Sequence, residues 1–219
     1  MNQSRIWVTE TFLSIQGEST HAGRLCFFIR LAGCNLQCRY CDTQYSASLT
    51  DGKEETLDLL VVKAVSSDVD LVEITGGEPL TQPETVPLCG KLQDAGMTVL
   101  VETNGSMPVW ELPDGVIRIL DCKTPSSGES DRNLYKNYDF ITPVDEVKFV
   151  IADRNDYDFS CKIIREYDLD SKTLNLLFSP VWGKIEPRQL AEWMIADRPP
   201  ARFQLQMHKL IWGPDKTGV

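Results

Sequence analysis

Histidine is scarce: His21 and His208 are the only two in 219 residues. A closed zinc tetrahedron that relies on histidine therefore has little to draw on. No apolar run is long enough to cross a bilayer. The opening residues, 1–6, lack the apolar h-region and cleavage site of a signal peptide, so the expected location is the cytoplasm. No dense Lys/Arg run interrupts a surface whose 22 basic and 32 acidic residues sum to -10. Such a surface repels polyphosphates, which disfavours direct nucleic-acid binding and favours a small-molecule substrate. Repeats, low-complexity tracts and a convincing linker are also missing. The expectation is one domain over 1–219, large enough to bury a real core. The seven cysteines are an odd number. A secreted disulfide framework would be even-numbered and usually smaller.

What is present alternates. Apolar runs at Leu25–Leu31, Asp70–Thr75, Met97–Glu102, Val116–Asp121, Glu146–Ile151 and Thr173–Phe178 predict strands, with a late one near Arg202–Gln206. Helical spacing at Glu55–Val65, Glu84–Ala95, Asn155–Tyr167 and Glu186–Ile195 separates several of them. This β-α-β-α order predicts an α/β fold with a parallel sheet. About six parallel strands fall short of an eight-fold barrel, which takes ~250 residues. The expected architecture is an incomplete, open (β/α) barrel. The polar stretch from Thr124 to Asn133 is expected to be a loop. Chemistry in such barrels sits at the C-terminal strand ends. Cys34, Gly76-Gly77-Glu78-Pro79, Glu102-Thr103-Asn104-Gly105 and Asp121-Cys122-Lys123-Thr124 all fall there.

Cys34, Cys38 and Cys41 have Cys-x3-Cys-x2-Cys spacing. Thiolates are the usual ligands of iron–sulfur clusters, and most clusters take four. Three would leave one iron of a 4Fe-4S cluster open to a cofactor. The competing reading is a structural zinc site closed by a distant cysteine. Two glycines after a strand, Gly76 and Gly77, let backbone approach a ligand closely; alone they are also an ordinary turn. Arg30, inside an apolar strand, is costly unless it meets an anion, either a ligand carboxylate or a protein one. Taken alone, Gln16-Gly17-Glu18 is a polar turn, Thr75 a strand residue, Lys123 a surface lysine and Cys122 a core residue.

The cysteine spacing, with Tyr40 before the last cysteine, resembles the radical S-adenosylmethionine (SAM) superfamily. The resemblance implies that Cys34, Cys38 and Cys41 hold a 4Fe-4S cluster whose open iron takes the amino and carboxylate groups of SAM. It assigns Gly76, Gly77 and Glu78 to the methionine amino group and Asn104 to the neighbourhood of the ribose. Cys122, Lys123 and Thr124 join the SAM set, with Lys123 toward the carboxylate, and Ser179 is placed near the adenine.

The stretch Phe12 to Ser19, Arg30, Asp42-Thr43 and the end Ile211-Trp212-Gly213 to Val219 further resemble the 7-carboxy-7-deazaguanine synthase family. That resemblance implies abstraction of hydrogen from carbon 6 of 6-carboxy-tetrahydropterin, ring contraction and loss of ammonia, in 7-deazapurine (queuosine) biosynthesis. Ile15, Gln16, Gly17, Glu18, Arg30, Thr75 and Val219 would bind the substrate, with Arg30 on its carboxylate. Thr43 would ligate Mg²⁺, completed by the substrate. The implied partners are a flavodoxin-like or other low-potential reductant and a second copy in a homodimer. No histidine base is required. Two rivals remain open here: a glycyl-radical-activating enzyme of the same superfamily, and a non-catalytic zinc or electron-transfer module.

Overall fold

A computed structural model of the chain describes residues 4–219; residues 1–3, part of the opening stretch considered above, lie outside the described residues. One nine-stranded sheet organises the molecule. Its strands are β1 (Arg5–Ile15), β2 (Leu25–Leu31), β3 (Lys53–Thr56), β4 (Leu71–Gly76), β5 (Thr98–Thr103), β6 (Ile117–Cys122), β7 (Glu146–Ile151), β8 (Leu176–Pro180) and β9 (Arg202–Phe203). The spatial order is β3-β1-β2-β4-β5-β6-β7-β8-β9. From β2 through β9 every neighbouring pair is parallel. Among the described residues β3 and β9 are edges and do not pair, so the sheet is open, as expected.

Two antiparallel strands come as additions. β1 is the longest strand of the sheet, yet it escapes a simple pattern search. A bulge between Val8 and Glu10 reverses its faces. Before the bulge Ile6 and Val8 enter the main core; after it Phe12 and Ser14 lie opposite Phe28 and Cys26 on the other face. One inserted residue flips a period of two. β3 is four residues, Lys-Glu-Glu-Thr, and such charge on an edge strand blocks stray pairing.

Helices α1 (Leu57–Val65), α2 (Thr85–Asp94), α3 (Arg154–Glu166) and α5 (Pro187–Asp197) match the four expected segments, with two short ones added, α4 (Leu169–Lys172) and α6 (Met207–Trp212). Their starts follow from local chemistry. Thr56 caps α1 by accepting from Leu59 N–H, and Asp153 caps α3 by accepting from Asp156 N–H. Pro187 opens α5. Cap selection moves the start of α1 from Glu55 to Leu57. Helix and sheet residues, among them Leu60, Leu92, Val101, Phe149, Phe178 and Leu190, form the main core on the convex side.

The concave side has its own small apolar floor of Cys26, Phe28, Leu71, Leu100 and Ile119. Continuing each strand by two residues brings Arg30, then Glu73 and Thr75, then Glu102, then Asp121 onto this face. Glu146 and Lys148 share it, being in register with Ile119 and Asp121. An apolar floor beneath a charged layer is the foundation of the site. No helix among the described residues is long and apolar enough to cross a membrane.

Candidate active site

The cysteine loop leaves β2 at the rim. Gly33, at φ 91°, turns the chain, and Cys34 N–H bonds Ala47 O at 2.8 Å. The loop is then fastened to the opposite rim. Arg39 N–H meets Ser127 O at 3.0 Å, Gln37 N–H meets Glu129 Oε1 at 2.9 Å, and Tyr40 hydroxyl lies 3.1 Å from Thr124 Oγ1. Leu36 N–H and the Asn104 amide both point at Cys34 Sγ, at 3.5 and 3.8 Å. Such donors favour a sulfur that carries negative charge. Burial pushes the Cys34 thiol up and the Cys38 thiol to about 11, with Lys123 opposing it in both. Thiolates at these positions therefore call for a cationic partner, which iron supplies.

The donor set fits a three-cysteine cluster and not a closed zinc site. Cys26 lies in the concave floor, Cys89 and Cys122 lie in the main core, and Cys161 is on α3 against that core. His21 follows β1 and His208 is on α6. The four other cysteines thus stand on elements apart from the loop.

Gly76 and Gly77 are explained by backbone crowding. A Cβ on Gly76 would lie 2.2 Å from Leu31 O, and one on Gly77 would lie 2.2 Å from Gly33 O and 2.9 Å from Cys34 Cβ. They let β4 press directly against the cysteine loop. Glu78 is held by the protein around it. Its carboxylate is fully buried and accepts from Leu80 N–H at 2.9 Å, Thr103 Oγ1 at 2.9 Å and Asn104 N–H at 2.6 Å. It binds the ends of β4 and β5 together. Burial raises its pKa, against those donors.

Asn104 closes a turn with Ser106 through Oδ1 and ties to Asn35 through its amide at 3.0 Å. Cys122 turns into the main core and does not face the rim. Lys123 is buried and pairs with Asp121 at 2.7 Å. Burial works against its ammonium, but Asp121 and then Cys38 hold its pKa above the ordinary value. It is therefore a fixed cation beside the cysteine loop. Thr124 Oγ1 donates to Val150 O at 2.9 Å. Ser179 is fully buried at the end of β8, and its hydroxyl has no partner among the described residues. An orphaned buried hydroxyl at the rim is what a ligand contact leaves when described without the ligand.

The expected substrate residues come together at the charged layer. After Ile15 the chain crosses the open side of the sheet from β1 toward β7 and β9. Gln16 donates to Glu73, Glu18 pairs with Lys148 at 3.0 Å, Thr20 bonds Glu146, and Gln204 donates to Ser19 O at 2.8 Å. The C-terminal segment clasps this crossing. Gln206 donates to Glu18 at 2.7 Å, Met207 N–H to Gly17 O at 2.9 Å, and Lys209 pairs with Asp42 at 2.5 Å. Gly17 is required here, since a Cβ would lie 2.5 Å from His208 Nδ1. Thr75 Oγ1 reaches Glu102 Oε2 at 3.4 Å.

Arg30 meets a protein carboxylate and keeps donors spare. Its Nε pairs with Glu10 at 2.9 Å, and Tyr45 hydroxyl holds the same Glu10 oxygen at 2.9 Å. The guanidinium carbon lies 5.9 Å from the Phe12 ring centre and 5.8 Å from that of Tyr45. The terminal nitrogens have no hydrogen-bond partner among the described residues. Gly218 lies against Glu10, placing half-buried Val219 near the same group. Thr43 Oγ1 is 3.6 Å from Cys41 Sγ, at the junction of the cysteine loop and this cleft. Asp42 is paired with Lys209.

Sequence reasoning overlooked Glu10, Glu73, Lys148 and Lys209, and gave no role to Glu102 and Asp121 within the rim motifs it named. The signal was available: four of these are charges at alternate positions of apolar strands, the argument applied to Arg30 alone.

Residues 28–122 match the Radical SAM superfamily model. The cysteine loop on the rim of an open parallel sheet lies within the matched stretch, and the chemistry of that superfamily uses a 4Fe-4S cluster and SAM. The chain is 39% identical over 226 residues to the 7-carboxy-7-deazaguanine synthase of Koribacter versatilis (strain Ellin345), covering 97% of this chain and 99% of that protein. It is 43% identical over 215 residues to the 7-carboxy-7-deazaguanine synthase of Chlorobaculum tepidum, covering 97% and 96%. It therefore belongs to the 7-carboxy-7-deazaguanine synthase family. In fold it resembles QueE from Escherichia coli, with a TM-score of 0.71 at 22% identity over 93% of this chain and 95% of that one.

Proposed function

We propose that this protein converts 6-carboxy-5,6,7,8-tetrahydropterin to 7-carboxy-7-deazaguanine with loss of ammonia. The observation that carries this reading is Arg30: a mostly buried guanidinium, neutralised at Nε by Glu10, with its terminal fork left for a second carboxylate. Cys34, Cys38 and Cys41 would hold the cluster. When bound, the cluster and SAM supply one-electron, hydrogen-abstracting chemistry.

The rest of the task falls to this chain's own residues. Arg30 holds the substrate carboxylate bidentately. Gln16 and Glu18 present acceptors to the amino and ring N–H groups of the pterin. Thr75 offers a hydroxyl between them. Lys123, fixed by Asp121, faces the carboxylate of SAM, and Ser179 offers its unpartnered hydroxyl to the adenine side. Thr43 would ligate Mg²⁺ together with substrate oxygens and water, a sparse oxygen set of the kind Mg²⁺ accepts. The C-terminal segment and the crossing loop cover the cleft and keep water from the reacting centre. A single domain over 1–219, cytoplasmic residence, a low-potential flavodoxin-like reductant and no nucleic-acid partner belong to the same reading. Exposed Leu210, Ile211 and Trp212 on α6 favour a homodimer, which light scattering would test.

The deciding experiment is anaerobic reconstitution with SAM, reductant, Mg²⁺ and the pterin, followed by chromatography. The deazapurine at many turnovers per SAM is expected. Cleavage of SAM without that product would remove the proposed substrate.

A further inference from the structure

Lys148 lies at the centre of the concave charged layer, and sequence reasoning gave it no role. Its side chain is 5% exposed and sits mid-strand in β7. The ammonium touches two carboxylates from separate elements: Glu18 of the crossing loop at 3.0 Å, and Glu102 of β5. Each carboxylate is also held from its far side. Glu18 Oε1 accepts from Gln206 at 2.7 Å, and Glu102 Oε2 accepts from Thr75 at 3.4 Å. Lys148 is thus the link between the crossing loop and the strand that carries Thr75's partner.

The surroundings are acidic. Glu73 from β4, Asp121 from β6 and Glu146 from β7 itself face the same layer, and His208 approaches Glu18 from α6. Two carboxylates brought together in such company repel unless a cation sits between them. Both keep partial exposure, 16% for Glu18 and 26% for Glu102, so each still offers acceptor capacity to the cleft.

We infer that Lys148 is the positioning residue of the substrate pocket: its ammonium joins Glu18 to Glu102 and fixes the two carboxylates as neighbouring acceptors for the N–H edge of a 2-amino-4-oxo heterocycle. This rests on the pterin reading above and adds the device that selects that edge. Carboxylates held by a buried lysine do not rotate to pair with other donors, so a ligand that lacks the amino group leaves one acceptor unsatisfied. Glu18 supports the same arrangement: burial opposes its charge, yet Lys148 and then His208 bring its pKa below the ordinary value.

The test measures binding without turnover. Calorimetry on the reconstituted, SAM-loaded enzyme without reductant compares 6-carboxy-tetrahydropterin with 6-carboxy-tetrahydrolumazine, in which a carbonyl replaces the amino group. Wild type should prefer the pterin by about tenfold or more. Lys148→Gln should weaken the pterin by about tenfold, leave the lumazine nearly unchanged and keep the SAM-induced change in the cluster's EPR spectrum. Lys148→Arg, which keeps the charge, should recover most of the affinity. Equal weakening of both ligands, or unchanged pterin affinity, overturns the inference. If Lys148→Gln does not fold, Lys148→Met, which is uncharged and of similar length and leaves both carboxylates in place, is read in the same way. Absence of pterin binding by wild type would instead refute the substrate reading itself.

Discussion

Replacing Gly77 by alanine tests whether the double glycine exists for backbone approach. Its φ is not positive, so alanine brings no conformational strain of its own. What it brings is one methyl group in a filled space. That carbon would lie 2.2 Å from Gly33 O, 2.6 Å from Gly33 C and 2.9 Å from Cys34 Cβ. Two of these neighbours are backbone, which cannot swing aside as a side chain can. The segment carrying Cys34 must retreat by about 1 Å, at an overpacking cost of about 1–3 kcal/mol. In a chain of this size that is a fall of about 3–10 °C in melting temperature. Because the displaced residue is a cluster ligand, iron content after anaerobic reconstitution should drop as well. Gly90→Ala is the control. Gly90 lies within α2, where a Cβ meets nothing within 4 Å, so this change should stabilise by about 1 kcal/mol. Wild-type stability and iron content in Gly77→Ala would refute the reasoning and show a compliant turn.

Three further outcomes can be checked. Arg30→Lys keeps a charge for Glu10 but loses the fork, so the pterin KM should rise about tenfold or more while SAM cleavage persists; steady-state kinetics decides, and an unchanged KM removes Arg30 from substrate binding. Glu73 is raised well above the ordinary carboxyl range by burial, then by Glu102, against Lys148. Its contribution is complete below that range and is lost as pH rises through the folded value, so wild type should lose melting temperature relative to Glu73→Gln as pH climbs from about 4.5; a difference that ignores pH counts against a protonated Glu73. Thorough chelation of divalent ions should cut product formation and spare SAM cleavage, and full product yield in chelator would dismiss Mg²⁺ at Thr43.

The strands of the parallel run were legible because their outward positions are buried under helices. Leu25–Leu31 and Glu146–Ile151 match their expected bounds. β1 was not legible as a strand, since the bulge at Thr9 splits its alternation into two halves of opposite phase. β3 was hidden by its charge. At the site, the cysteine loop and the rim motifs announced themselves by spacing. The protein partners of Glu78 did not, because its meeting with the N–H groups of Leu80 and Asn104 depends on where two strand ends stop. The pairing of Lys209 with Asp42 joins residues far apart in the chain, and no local pattern encodes it.

The clasp across the open side has a consequence for how the pocket comes into being. Glu18 and Gln206 are separated by 188 positions, and Ser19 and Gln204 by 185. Closing so long a loop is entropically demanding and comes after local strand–helix units have formed. The cysteine loop, by contrast, is fastened to residues closer in the chain, Thr124 and Glu129, at separations of 84 and 92. Folding therefore leaves an interval in which the three thiols are already gathered while the wall over them is still missing. Lys209, which pairs with Asp42 beside Cys41, belongs to that late wall. The order in which the parts of the pocket come together is in this way set by topology.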